Sequence, residues 1–263
     1  MFNSKKVGML AGLVISTTFA SQAVFAGSIT LDFDTDALGN AIQNAQVIDD
    51  EYAGFGVSIS AINPNRDFDL AISFDSEGDL GVNDDPDLEA SFSGGNNAGA
   101  RTDNLLIISE TSAGCASGVC NVADDEGRRL AGSLVFDFDR EIDSVSFDLV
   151  DVEEFRRRGV VGTHGSLSLL DMVGSVINDI SFDTFAADFG AIYGDNFFNS
   201  IGDIEFAGLG VYGLSFNFGG SAGLDNVTVA YSAVPELDGA GLPIALSLLG
   251  GLIALRAERR RKA

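Results

Sequence analysis

Short runs in which apolar and polar residues alternate recur through the middle of the chain and set its expected architecture. Residues 28–34 put Ile29, Leu31 and Phe33 on one side and Thr30, Asp32 and Asp34 on the other. The same period of two returns at 56–61, 70–75, 104–110, 133–138, 144–150, 165–170, 177–182, 211–218 and 224–231, with Gly, Asn, Asp and Ser between the runs. That period marks a strand with one buried face. Ten such strands joined by Gly-rich turns predict an all-β, antiparallel β-sandwich with one apolar face per sheet. Phe is the main core residue, since the chain has 20 Phe, four Tyr and no Trp. Phe33, Phe136, Phe138, Phe147, Phe182, Phe216 and Phe218 fall on alternating positions and are expected to fill the core. Helical signals are weak. Residues 36–48 suit a short helix or an irregular crossover, with Gly39 against the helix, and 186–192 suit a single turn.

At both ends the alternation gives way to unbroken apolar runs. Lys5 and Lys6 precede an apolar core at 7–20, and Val24-Phe25-Ala26 follows, so residues 1–26 read as a signal peptide cleaved after Ala26. At the other end, 239–255 carries no charge and is followed by Arg256, Arg259, Arg260, Arg261 and Lys262. As a helix this run would span about 25 Å, slightly under the ~30 Å hydrocarbon core. It is therefore expected to be a single transmembrane helix, with the basic tail 256–263 on the cytoplasmic side. Residues 27–233 remain as one β-domain, flanked by an export signal and a membrane hook.

The order Val234-Pro235-Glu236, apolar helix, terminal arginine cluster resembles the PEP-CTERM protein-sorting signal of Gram-negative bacteria. The resemblance covers residues 234–263 and implies recognition of Val234, Pro235 and Glu236 by an exosortase, a membrane-embedded transpeptidase-like enzyme, with removal of the tail. Leu237-Asp238 departs from the commonest form of the signal, and an ordinary single-pass anchor is the alternative. Within 27–233, Tyr52-Ala53-Gly54-Phe55-Gly56-Val57, Phe74-Asp75, Asp85-Pro86-Asp87-Leu88, residues 104–109, Phe147-Asp148-Leu149 and residues 219–225 resemble landmarks of secreted bacterial β-sandwich domains often carried on PEP-CTERM proteins. Those domains are similar to carbohydrate-binding-module jelly rolls. The resemblance implies a jelly-roll-type sandwich and leaves the ligand open.

Charge narrows the partners. Between residues 27 and 233 stand 36 Asp and Glu against eight Arg, a formal charge near −28. Such a domain repels nucleic acid and anionic lipid and attracts divalent cations; a salt-tolerant acidic surface is the plainer account. Calcium, which takes six to eight hard oxygens, is the expected ion. In related jelly rolls a structural calcium ties the first strand to the last, which by resemblance suggests Asp32 or Asp34 with Asp225. A second candidate set is Asp75 with Asp84, Asp85 and Asp87 of the long acidic insertion at 76–103 that follows it, where Pro86 stiffens the spacing. Neither set follows the EF-hand pattern, and for both the alternative is a solvated acidic edge that discourages sheet-to-sheet pairing. Cys115 and Cys120 are expected to close a small disulfide loop in an oxidising compartment.

Catalytic patterns are sparse. His164 is the only His, in a turn-like Gly162-Thr163-His164-Gly165, and no Gly-x-Ser-x-Gly elbow, P-loop, dinucleotide fingerprint or zinc spacing occurs. Two carboxylates at glycosidase separation must exist among so many acids, so their presence decides nothing. Sugar-stacking platforms reduce to Tyr52, Tyr193 and Tyr212, each of which also suits a sheet-edge packing role. The expectation is a non-enzymatic structural or adhesive protein of the cell envelope or extracellular matrix of a Gram-negative bacterium, held by its tail before processing and in contact with exopolysaccharide. A specific carbohydrate-binding module is the second reading and a polysaccharide hydrolase the third.

Overall fold

The computed structural model describes residues 27–78, 85–155 and 162–231. The expected signal peptide, the Val234-Pro235-Glu236 motif, the apolar run at 239–255 and Asp84 lie outside them. Among the described residues no helix is long and apolar enough to cross a membrane.

The described residues are all-β: ten antiparallel strands in one hydrogen-bonded sheet, with one short α-helix. In chain order the strands are β1 (Ser28–Leu31), β2 (Val57–Ile62), β3 (Ala71–Asp75), β4 (Asn104–Ile108), β5 (Gly132–Val150), β6 (Gly165–Leu170), β7 (Val176–Ser181), β8 (Phe198–Glu205), β9 (Val211–Phe218) and β10 (Gly223–Tyr231). Helix α1 (Phe182–Asp188) starts on Ser181, whose hydroxyl accepts the Asp183 N–H. The main path runs β3-β4-β10-β5-β9-β6-β7, with β1 beside β10 and both β2 and β8 on β5.

The 19-residue β5 organises the sheet. Its first half pairs with β2 and β9, and its second half with β8 and β10. Leu134 lies opposite Phe216 of β9, yet the Phe216 ring also packs on Phe147, 4.8 Å between centroids. Straight, the thirteen steps from Leu134 to Phe147 would extend about 43 Å at strand rise. The ring contact therefore requires β5 to bend and the sheet to fold over its own apolar face. Asp139, Arg140 and Glu141 mark the bend. The register against β9 shifts between Asp137 and Ile142, and core-facing residues change from Leu134, Phe136 and Phe138 to Val145, Phe147 and Leu149. The seven Phe residues expected inside are all buried.

The other face of β3, β4 and the second half of β5 is also covered. Ile72, Phe74, Leu105, Ile107 and Val150 pack there against Leu88, Phe92, Ala123 and Cys120 from two long loops. The acidic insertion thus has an apolar underside, which explains its length. The crossover at 36–48 is irregular, not helical, and the turn expected at 186–192 begins earlier, as α1.

Candidate functional site

Two carboxylates from separate loops, Asp125 and Asp151, meet at Ser221 in the turn between β9 and β10, and a third, Asp85, reaches Asp125. Asp151 follows β5 with a left-handed backbone, φ 52°. Its Oδ2 accepts the Ser221 hydroxyl at 2.7 Å and its Oδ1 the Asn196 N–H at 2.7 Å. Asp125, in the loop after β4, accepts the Ala222 N–H at 3.1 Å, and its carboxyl also bonds to Ser221 and to the carboxyl of Asp85. Asp85 caps the turn Pro86–Leu88 by accepting the Asp87 N–H at 2.8 Å. Leu88, fully buried, ties that turn to the outer core. Asn196 completes the frame through its amide, which donates to the carbonyls of Asp87 and Glu89.

The electrostatics are those of charge without a counter-charge. Asp125 and Asp151 are 4% and 2% exposed. Burial, then contact with Asp85, pushes the Asp125 carboxyl well above the usual range. Burial raises Asp151 to about 7, with Asp85 and Asp87 adding to it against the bonds from Ser221 and Asn196. Among the described residues no ion pair reaches these three carboxylates. Arg129, which approaches Gly220, is held by Glu153 at 2.6 Å. The carboxylates and the Ser221 hydroxyl offer hard oxygens only, although the three acidic groups whose oxygens all lie within 4.8 Å of one another, among the described residues, are Asp49, Asp50 and Glu51. That chemistry fits calcium or magnesium and disfavours zinc or copper.

The candidates taken from the sequence are distributed differently from their grouping along the chain. Asp85 and Asp87 belong to this cluster, whereas Asp75 lies apart from them. It lines a cleft of about 370 Å³ with Asp34, Glu77, Asp103, Asn44 and Asn104. Asp34 accepts the Asn104 N–H at 2.8 Å. Burial, with Asp103, Asp32 and Asp75 as like-charged neighbours, lifts it to about 6. Asp225 is 1% exposed and bonded to the Thr102 hydroxyl and the Asn226 N–H; burial raises it to about 8, with Asp148 and Asp34 contributing. Asp32 turns back on its own loop, accepting the N–H groups of Asp34 and Thr35. A further trio, the exposed Asp49 and Asp50 with the half-buried Glu51, brings its oxygens within 4.8 Å of one another. It sits where the crossover meets the loop closed by the Cys115–Cys120 disulfide.

Asp125 and Asp151 do not stand out in the sequence, because each lies in an acidic loop, Asp125 between Asp124 and Glu126 and Asp151 shortly before Glu153 and Glu154. The signal for Asp151 was present as an acid wedged between Val150 and Val152, both buried. Tyr52 is buried, its hydroxyl accepting the Phe33 N–H, so it offers no platform to a sugar. Tyr193 is half-buried, donates to the Phe182 carbonyl and stacks at 4.6 Å on His164, whose Nδ1 meets Asp183 at 2.7 Å.

No family model matches the chain, and no curated protein matches it. Among solved structures it is similar to the K2 cleaved adhesin domain of Lys-gingipain, at 9% identity and a TM-score of 0.37, covering 77% of this chain and 99% of that one. At that level the likeness carries no argument about function.

Proposed function

We propose that this is an exported, non-enzymatic structural or adhesive protein of the cell envelope or extracellular matrix, whose β-domain is a jelly-roll-type sandwich stabilised by calcium. The observation that carries the reading is the burial of Asp125 and Asp151 around one hydroxyl, with the half-buried Asp85 bonded to Asp125. Groups placed this way are poor nucleophiles or bases toward an outside substrate, yet suit neutralisation by an ion that pins three loops together. The fold of the sheet over a shared core supports the sandwich, and the domain charge near −28 supports cation uptake. The sequence signals at the two ends support export and sorting by an exosortase-like enzyme, with the membrane held through 239–255 until the tail is processed.

Calcium bound only by the native state raises stability by mass action, about 2.7 kcal/mol at a hundred times its dissociation constant. Chelation of the purified full chain should therefore lower its melting temperature by several degrees, and added calcium should restore it. Asp125→Asn should abolish the restoration while Asp75→Asn leaves it in place. An unchanged melting curve, with no metal in the purified protein by elemental analysis, would remove calcium from the reading.

A further inference from the structure

A cleft of about 450 Å³ crosses the outer face of the sheet where five strands begin or end. Its floor is one register row. Ile62 of β2 lies opposite Ser133 of β5, Ser133 opposite Asn217 of β9, Asn217 opposite Ser166 of β6, and Ser166 opposite Ser181 of β7. Four strand spacings make that row about 19 Å long. The adjacent row, from Ala61 through Leu134 and Phe216 to Leu167, faces the core, so the floor residues face out. Asn217 organises them. Its Oδ1 accepts the hydroxyls of Ser133 and Ser215 at 2.7 and 3.1 Å, and its Nδ2 donates to the hydroxyls of Ser166 and Ser168 at 3.2 and 2.9 Å. The Ser168 hydroxyl in turn donates to Asp179 Oδ1 at 2.7 Å. This relay runs in one direction and leaves groups over. Among the described residues the Ser166 and Ser181 hydroxyls accept, from Asn217 and from the Asp183 N–H, but donate to nothing. Asp179 keeps its second oxygen, and Ser133 its hydroxyl lone pairs, as acceptors. Beside this polar row stands an aliphatic wall of Ile62, Pro64 and Leu130, with Ile62 and Leu130 54% and 51% exposed.

We propose that this cleft binds a segment of a neutral polysaccharide. The inference deepens the adhesive reading above and rests on it for the presence of matrix polymers, but not on calcium. Hydrogen-bond chemistry selects the ligand. Free donors and free acceptors stand side by side, Ser166 and Ser181 giving protons and Asp179 and Ser133 taking them, and a sugar hydroxyl does both. The aliphatic wall covers the C–H face of a pyranose ring and removes it from water. An acidic ligand meets the opposite of what it needs, because the lining holds no Arg or Lys and Asp179 repels it. An ammonium group needs acceptors alone and would leave both O–H donors unmet. A peptide bound through its main chain needs an unpaired strand edge, whereas β5, β9 and β6, under the middle of the cleft, are each paired on both sides. The row is several times as long as one sugar ring is wide, so a chain segment fits it better than a single sugar. No aromatic ring is offered for stacking, since Phe218 turns inward at 2% exposed. Affinity therefore comes from several weak contacts along the chain.

The test is electrophoresis of the full chain through native gels cast with soluble glucan, mannan or galactan, with alginate as the acidic polymer, and with either calcium or chelator present. Retardation by at least one neutral polymer is expected under both conditions. Ile62→Ala and Leu130→Ala together, both at exposed positions, should weaken it by roughly tenfold, the scale of one lost contact, with the melting temperature unchanged. Ser166→Val, which removes one free donor, should weaken it similarly. Thr228→Val, on the hydroxyl-bearing face where Thr30 and Thr228 meet at 2.8 Å, should leave it intact. Retardation by no neutral polymer would overturn the proposal, and so would retardation undiminished in both cleft variants. Binding to alginate alone, and only with calcium, would also overturn it and would point to cation bridging instead. The melting response to chelator is read separately, so calcium stabilisation and glycan binding stand or fail independently.

Discussion

A buried carboxylate in this protein is more informative than an exposed one, because burial makes its protonation part of folding. Asp34, Asp151 and Asp225 are raised to about 6, 7 and 8 from an ordinary value of 3.8. In each the folded form holds its proton at a pH where the unfolded chain has released it. Between about pH 4 and 8 the native state thus binds more protons than the unfolded state, and stability falls as pH rises through that window. A tenfold difference in proton affinity is about 1.4 kcal/mol, so Asp151 and Asp225 together account for several kcal/mol, and the half-buried Asp34 contributes less because solvent screens it. Metal-free protein should melt highest near pH 4–5 and progressively lower toward pH 8, and scanning calorimetry across that range would show it. Asp225→Asn should flatten the profile and raise the melting temperature at pH 8. A metal-free profile that rises with pH would contradict the burial of these groups. Added calcium should act oppositely, since it binds the ionised form and so stabilises most at the alkaline end.

At the scale of elements, the strands were legible where alternation was clean and obscured where the sheet bends. The runs at 165–170 and 211–218 coincide with β6 and β9. Those at 133–138 and 144–150 read as two strands because Asp139-Arg140-Glu141 interrupts the pattern, yet the backbone continues through them as β5. β8 was missed because Phe198, Ile201 and Ile204 recur every three residues. The shift in register against β5 between Val145 and Phe147 shows the local irregularity that goes with this spacing. The site was half legible for a related reason. Acidic runs occur in the loops of Asp85, Asp125 and Asp151 alike, and only loop closure selects which member of each run is brought to the others. The disulfide was legible outright, and its place defines a further role. Val47 donates to the Gly118 carbonyl and Cys120 to the Ala45 carbonyl, both at 2.8 Å, so the Cys115–Cys120 loop holds the crossover segment that covers β3. Closing so short a loop contributes about 2 kcal/mol. In Cys115→Ala/Cys120→Ala protein, hydrogen exchange should accelerate at 45–48 and 71–75 while the amides of β5 and β9 stay protected. Uniform acceleration would mean instead that the loop supports the whole sheet.

For the whole molecule, the two ends and the domain between them impose different demands. A domain near −28 is repelled by an anionic envelope, so retention at a surface requires the tail, a covalent link made in its place, or bridging cations. The apolar run 239–255 is marginal for permanent residence in a bilayer, at about 25 Å against ~30 Å. Val234-Pro235-Glu236 begins three residues after Tyr231, the last residue of β10, with Ser232 and Ala233 between. A processing enzyme acting there would cut just beyond the last strand and spare the sheet. The protein recovered from cell envelope and culture medium should accordingly end near residues 234–237 and begin at Gly27, as read by intact-mass and terminal peptide analysis of each fraction. Substituting Pro235→Ala and Glu236→Ala together should leave a chain ending at Ala263 in the membrane fraction, with the melting temperature of the β-domain unchanged. If the native chain itself ends at Ala263 in the envelope, the tail is a plain anchor. Retention would then require no cleavage, and calcium bridging would be left to account only for contacts with the surrounding matrix.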